Sequence, residues 1–224
     1  MCMMFVLLIL AIILSVWAQF RVQGTFKKWA KVDNSTGLTG YDVARHMLDT
    51  NGLHDVPIEP VRGALSDHYD PIHRVVRLSE PVYYERSISA VAVASHEVGH
   101  AIQHKEHYPM LVLRHRIFPI VNFASGIAPF LLLAGFIFNA FNLIGLGIIF
   151  FSVTVAFQLV TLPVEFNASN RARRIIVEEG YVRSEEERGV GKVLNSAALT
   201  YVAAALISLL ELIRYIGIFT SNRE

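Results

Sequence analysis

The sequence predicts an α+β protein: a mainly helical domain with a small sheet, joined to about four transmembrane helices. Three observations carry this. Long uncharged apolar runs recur along the chain, and the stretch between the first two has a normal globular mixture of charges. Inside that stretch, turn residues and a β-branched run stand directly before a helical segment with two histidines four apart, His96 and His100. Hydrophobic residues make up 53% and charged residues 17%, too apolar for a soluble domain, where the figures are about 45–50% and 25%. The net charge of +1 supplies no bulk field, so no nucleic-acid partner is expected.

Residues 1–20 are expected to form the first transmembrane helix. Residues 3–20 carry no charge, and at ~1.5 Å per residue they span roughly 27 Å, about one bilayer core. No basic residue precedes the run and no small-x-small site follows it, so a retained anchor is preferred to a cleaved signal peptide.

Residues 21–116 form the expected soluble domain, with 12 Lys+Arg and 11 Asp+Glu. A short helix is predicted over 38–53 from the apolar stripe of Val43, Met47 and Leu48, ended by Asn51 and Gly52. Residues 56–61 suit a short extended piece that Pro57 and Pro60 confine to an edge or loop. "SDHYDP", 66–71, is turn chemistry. "IHRVVRLS", 72–79, reads as a strand. The helix with the two histidines is expected over about 87–107.

Residues 117–162 are expected to be a transmembrane hairpin with its turn near 139–142. Residues 163–192 hold a helix with Glu165 and a charge-rich segment. Pro163 suits either the first turn of a new helix or a kink in a continuing one. Residues 193–218 read as a fourth membrane helix, with Glu211 and Arg214 placed to pair at i, i+3, and 219–224 as a tail. Positive residues follow the first span (Arg21, Lys27, Lys28, Lys31), precede the second (Arg114, Arg116) and follow the third (Arg171, Arg173, Arg174). All fall on one side of a hairpin topology, which the positive-inside rule makes cytoplasmic. The expectation is a multi-pass protein of the plasma membrane, in contact with the lipid bilayer and with its site on the cytoplasmic face.

"SHEVGH", 95–100, carries the chemistry. On a helix, positions i and i+4 share a face, so His96 and His100 can address one metal ion. Glu97 is rotated off that line, which suits a base acting on a metal-bound water. The single cysteine excludes a cysteine-based zinc site. A catalytic zinc needs a third protein ligand and an open water position. His104 lies two turns, about 12 Å, from His96 and cannot share its ion, so it is read as packing or support. A metzincin needs Gly at 103 and His at 106, where this chain has Gln103 and Glu106. Site-2 proteases take a later aspartate, and none follows Asp70. A glutamate on a second helix remains, and Glu165 is the choice, with Ser169 and Arg173 at i+4 and i+8 on its face. The run Arg74, Val75, Val76 and Arg77 is expected as an edge strand beside the metal helix, able to pair with an extended substrate backbone.

Together "LSDHYDP", "SHEVGHAIQH", "PVEFNASNRA" and "VLNSAALTYVAAAL" resemble the bacterial neutral zinc metallopeptidases of the YugP type. The plan is more distantly similar to HtpX, a gluzincin membrane protease whose Glu ligand also follows a membrane hairpin. The resemblance implies a zincin-like catalytic domain, one Zn2+ per chain, His96, His100 and Glu165 as ligands, and Glu97 as catalytic base. One position departs: where HtpX-like proteins have the Asp of Glu-x-x-Ala-Asp supporting a histidine, this chain has Ser169, which brings no charge. Arg173, Arg183 and Tyr201 all stay open as oxyanion donors. The expected function is a membrane-embedded zinc metalloendopeptidase that hydrolyses peptide bonds with a zinc-activated water. Its expected substrates are peptides or proteins, either membrane proteins or misfolded chains at the cytoplasmic face. The alternative is a catalytically silent zinc-binding membrane scaffold, and the sequence carries no signal of oligomeric state. A transporter is disfavoured because the apolar blocks hold almost no ionisable residues.

Overall fold

The computed structural model describes residues 2–221. The chain divides into two compact units, one of residues 19–108 and 164–199, the other of residues 1–18, 109–163 and 200–224. Along the chain run α1 (Cys2–Trp29), α2 (Gly40–Thr50), β1 (Ile58–Val61), β2 (His68–Asp70), β3 (Val75–Ser79), α3 (Glu80–Tyr84), α4 (Ile88–Lys105), α5 (Pro109–Ile137), α6 (Phe141–Glu178) and α7 (Ser184–Ser221). Residues 222–224 of the expected tail lie outside the described residues.

In the first unit, α2 forms where the periodicity predicts. Thr39 caps it by accepting from the Asp42 backbone amide, and Asp42 accepts from the Thr39 amide in return, which satisfies two donors a helix start leaves open. Val43, Met47 and Leu48 are fully buried against α4 and join one core with Val76, Leu78, Val91, Val98 and Ile176. After the helix Gly52 takes φ +63, a conformation that suits glycine.

The sheet corrects two expectations. Its order is β1-β3-β2, with β1 parallel and β2 antiparallel to β3. First, "SDHYDP" is not all turn. His68, Tyr69 and Asp70 pair with Arg77, Val76 and Val75, and the turn begins only at Asp70. Its Oδ1 accepts the backbone amides of Ile72 at 2.9 Å and His73 at 3.1 Å, and its Oδ2 accepts from His73 Nδ1 at 2.7 Å and Arg77 Nη1 at 2.8 Å. Arg74, at φ +54, completes the reversal, so β3 starts at Val75 instead of residue 72. Second, β3 is the central strand. Val75 on one face and Val76 and Leu78 on the other are buried, and both of its hydrogen-bonding edges are taken. Val75, Val76 and Arg77 therefore lie inside the sheet and not at an edge open to a substrate, and Arg74 falls outside the strand in the preceding turn.

Asp70 gives a pH prediction. The His73 ring hydrogen bond, with backbone amides and Arg77, holds its carboxyl well below the ordinary aspartate range. A carboxyl lowered in the folded state adds stability above the unfolded pKa of about 3.9 and loses it as pH falls toward the folded value. Asp70→Asn should cost about 1 kcal/mol at pH 7. The difference in melting temperature between variant and wild type should shrink as pH drops below about 4. A difference that stays constant with pH refutes this role.

In the second unit, α5 and α6 are joined through residues 138–140, with Asn139 at φ +51. Gly135 sits against Ile144, where a methyl group would lie 2.6 Å from Cγ1 and 2.8 Å from the backbone nitrogen. Small residues allow such helix contacts where water supplies no driving force. Tyr215 packs on edge against Phe151 at 5.5 Å. Phe118, Phe123, Phe130 and Ile149 stay exposed, as side chains facing lipid would. Among the described residues, four helices are long and apolar enough to cross a membrane: α1, α5, α6 and α7. Helix α1 continues past Arg21 to Trp29, and α6 runs through Pro163 without a break, so Pro163 does not start a new helix.

Candidate metal centre

Helix α4 starts at Ser87, whose side chain accepts from the Ala90 amide. Its middle is buried on nearly every side: Ala94, Ser95 and Val98 are fully enclosed. On this helix His96 and His100 lie one turn apart, with ring centroids 4.7 Å apart and planes at 83°. Helix α6 passes close to α4 at Gly99. A methyl group on Gly99 would lie 2.7 Å from the Ala168 carbonyl oxygen, so the glycine of "HEVGH" is what admits α6.

That approach delivers Glu165. Its Oε2 stands 3.3 Å from His96 Nε2 and 3.6 Å from His100 Nε2. One donor atom from each of the three residues falls within 4.8 Å of the other two, and this is the group among the described residues that could hold a metal ion. Glu165 is 3% exposed and His100 9%, so water screens the cluster weakly.

Each imidazole is held from behind. Ser169 Oγ lies 3.1 Å from His96 Nδ1, and Gln103 Oε1 lies 3.0 Å from His100 Nδ1. The α6 face of Glu165 and Ser169 thus meets α4 as its i, i+4 spacing suggests. Arg173 does not join it, because its guanidinium binds Glu187 at 2.9 Å. His104 stays apart from the cluster, its Nδ1 2.8 Å from the Tyr69 hydroxyl. Arg74 pairs with Asp55, and Tyr201 belongs to the other unit.

Glu97 is 7% exposed on the same helix. Burial pushes its carboxyl up to about 7; the Glu165 and Asp67 carboxylates push the same way, while His96 and the Tyr69 backbone amide oppose them. Asp67 is itself raised by burial, and it accepts from the backbone amide and hydroxyl of Ser79. The Tyr69 amide places the outer edge of β2, not β3, beside Glu97.

The sequence alone does not single out Gln103, which stands where a metzincin has glycine. The available signal was its spacing, three residues and one turn after His100.

The family described as "Putative neutral zinc metallopeptidase" matches residues 4–220. A curated relative, "Putative membrane protease YugP" of Bacillus subtilis (strain 168), is 65% identical over 223 residues, covering 99% of each chain. No solved structure matches the chain.

Proposed function

We propose, from the premise that this chain belongs to the neutral zinc metallopeptidase family, that it is a membrane endopeptidase of the gluzincin type. In this reading His96, His100 and Glu165 hold one zinc ion and Glu97 is the base. The convergence of two imidazole nitrogens and one carboxylate oxygen on a buried point carries the proposal. This donor set fits zinc: catalytic zinc sites use three protein ligands of these types and keep a fourth position open. Zinc in such a site polarises a carbonyl and lowers the pKa of water to about 7.

The chain's own residues do the rest. The Glu97 carboxylate accepts a proton from the attacking water and delivers it to the leaving amine. Without the metal, burial holds its carboxyl above the ordinary glutamate range, and the charge of a zinc ion would draw it back down. Ser169 and Gln103 orient the two imidazoles. The backbone amide of Tyr69, on the outer strand β2, donates to the Glu97 carboxylate. Nearly complete enclosure of the helix around the site excludes bulk water.

Metal analysis tests the ligand set. His96→Ala, His100→Ala and Glu165→Ala should each abolish zinc binding, and His104→Ala should retain one zinc per chain. Zinc retained in Glu165→Ala and lost in His104→Ala overturns the assignment.

The positive flanks of α1, α5 and α6 support a cytoplasmic site in a plasma-membrane protein. Glu165 follows the uncharged run by only two residues past Pro163, within about one helical turn of its end. This favours substrates that are membrane proteins cut close to the bilayer, or misfolded chains held there. In a Cys2→Ser background, new cysteines at Ser66 and Ser184 should resist an impermeant thiol reagent in whole cells and react after lysis. Labelling of either from outside refutes the orientation.

A further inference from the structure

We infer that Gln103 is a positioning residue that fixes the tautomer of His100 and ties the imidazole to the helix turn presenting Glu165. The inference rests on the proposed role of His100 as a ligand. Gln103 is fully buried on α4, where a polar side chain must satisfy its hydrogen bonds. Its Nε2 lies 2.9 Å from the Val164 carbonyl oxygen and 2.9 Å from Asn167 Oδ1.

These partners leave no freedom in the amide. The Val164 carbonyl only accepts, so the Gln103 NH2 group must face it. Asn167 is oriented independently: Arg171 Nε donates to the same Oδ1 at 2.7 Å, and Arg171 Nη1 is held by Glu106 at 2.6 Å. With both amide protons directed at α6, Gln103 presents only its carbonyl oxygen to His100 Nδ1, 3.0 Å away. A carbonyl can only accept, so the His100 proton sits on Nδ1. In the neutral ring the lone pair is then on Nε2, the atom that faces Glu165. A metal needs that lone pair, and the hydrogen bond behind a ligating histidine selects it.

His96 lacks such a lock. Its partner is the Ser169 hydroxyl, which can donate or accept. Gln103 therefore does for one ligand what no group enforces for the other. It also connects the two helices: Val164 and Asn167 flank Glu165, so the residue that aims His100 is bonded to the turn that aims the carboxylate.

The test uses the full-length protein in detergent with 15N-labelled histidine. Metal-free wild type should show His100, assigned by its absence in His100→Asn, with a protonated Nδ1, whether or not Nε2 shares a proton with Glu165. An unprotonated Nδ1 overturns the inference with no appeal to zinc or activity. Gln103→Met, which keeps the length but not the acceptor, should give mixed His100 tautomers and bind zinc ~10–100-fold more weakly in chelator competition. Gln103→Met with wild-type tautomer and zinc affinity also overturns it. If wild type binds no zinc but shows the Nδ1–H tautomer, the ligand reading fails while the hydrogen-bond assignment stands.

Discussion

Replacing Glu97 by Gln should leave zinc content and melting temperature near wild type while peptide hydrolysis falls by at least about 10²-fold. The substitution removes one property. Gln has nearly the volume of Glu, so the enclosure around position 97 keeps its packing. Burial already disfavours the charge there, so a neutral amide should be tolerated. The amide cannot take up a proton from water, and general base catalysis is worth about 10²–10⁴-fold. His96, His100 and Glu165 are untouched, so metal analysis should still return one zinc. The same variant separates the endopeptidase from the zinc-binding scaffold, in which nothing measurable would depend on a base. Substrate proteins should accumulate in cells carrying Glu97→Gln and be cleaved in wild type. Near-normal cleavage by the variant would remove Glu97 from the reaction.

What the sequence reveals about this fold follows the range of the forces involved. Helix α2 was legible because its determinants are local: Thr39 and Asp42 cap it, and Val43, Met47 and Leu48 recur at helical spacing. Strand β2 was not, since three residues inside a turn-rich string become a strand only by pairing with β3. The sequence of β3 showed its apolar character but not its neighbours. Its central place depends on a parallel partner 18 residues earlier, Ile58 against Val76, and no local pattern encodes that pairing. The site divides the same way. His96 and His100 are one turn apart on one helix, so their shared direction is readable. Glu165 lies 65 residues beyond His100, and the sequence points to it only by the exclusion of other glutamates. The fold brings its carboxylate to the histidines through α6, whose distance from α4 the sequence does not state. Gln103 was missed because one of its partners is the backbone carbonyl of Val164, which has no residue signature at all.

That helix separation is set by Gly99, and Gly99→Ala should therefore cost both metal and stability. By propensity alone the change favours the helix by about 0.8–1 kcal/mol. Packing opposes it. The new methyl group would lie 2.7 Å from the Ala168 carbonyl oxygen and 3.3 Å from its carbonyl carbon and Cα. All three are backbone atoms, so no side chain can rotate away. Overpacking of this kind costs about 1–3 kcal/mol, so the net expectation is a loss. The relief available is to move α6 away from α4, which draws Glu165 from the histidines it now meets at 3.3 and 3.6 Å. A displacement of about 1 Å at such a site costs about 10²-fold in rate, and zinc affinity should fall alongside it. Gly24→Ala is the control, since nothing lies within 4 Å of the position; it should keep wild-type zinc affinity and melt no lower. Chelator competition and thermal melting on the two variants decide the matter. A Gly99→Ala protein with the zinc affinity and melting temperature of Gly24→Ala would show that α4 and α6 have room to spare and that the glycine does not set the geometry of the centre.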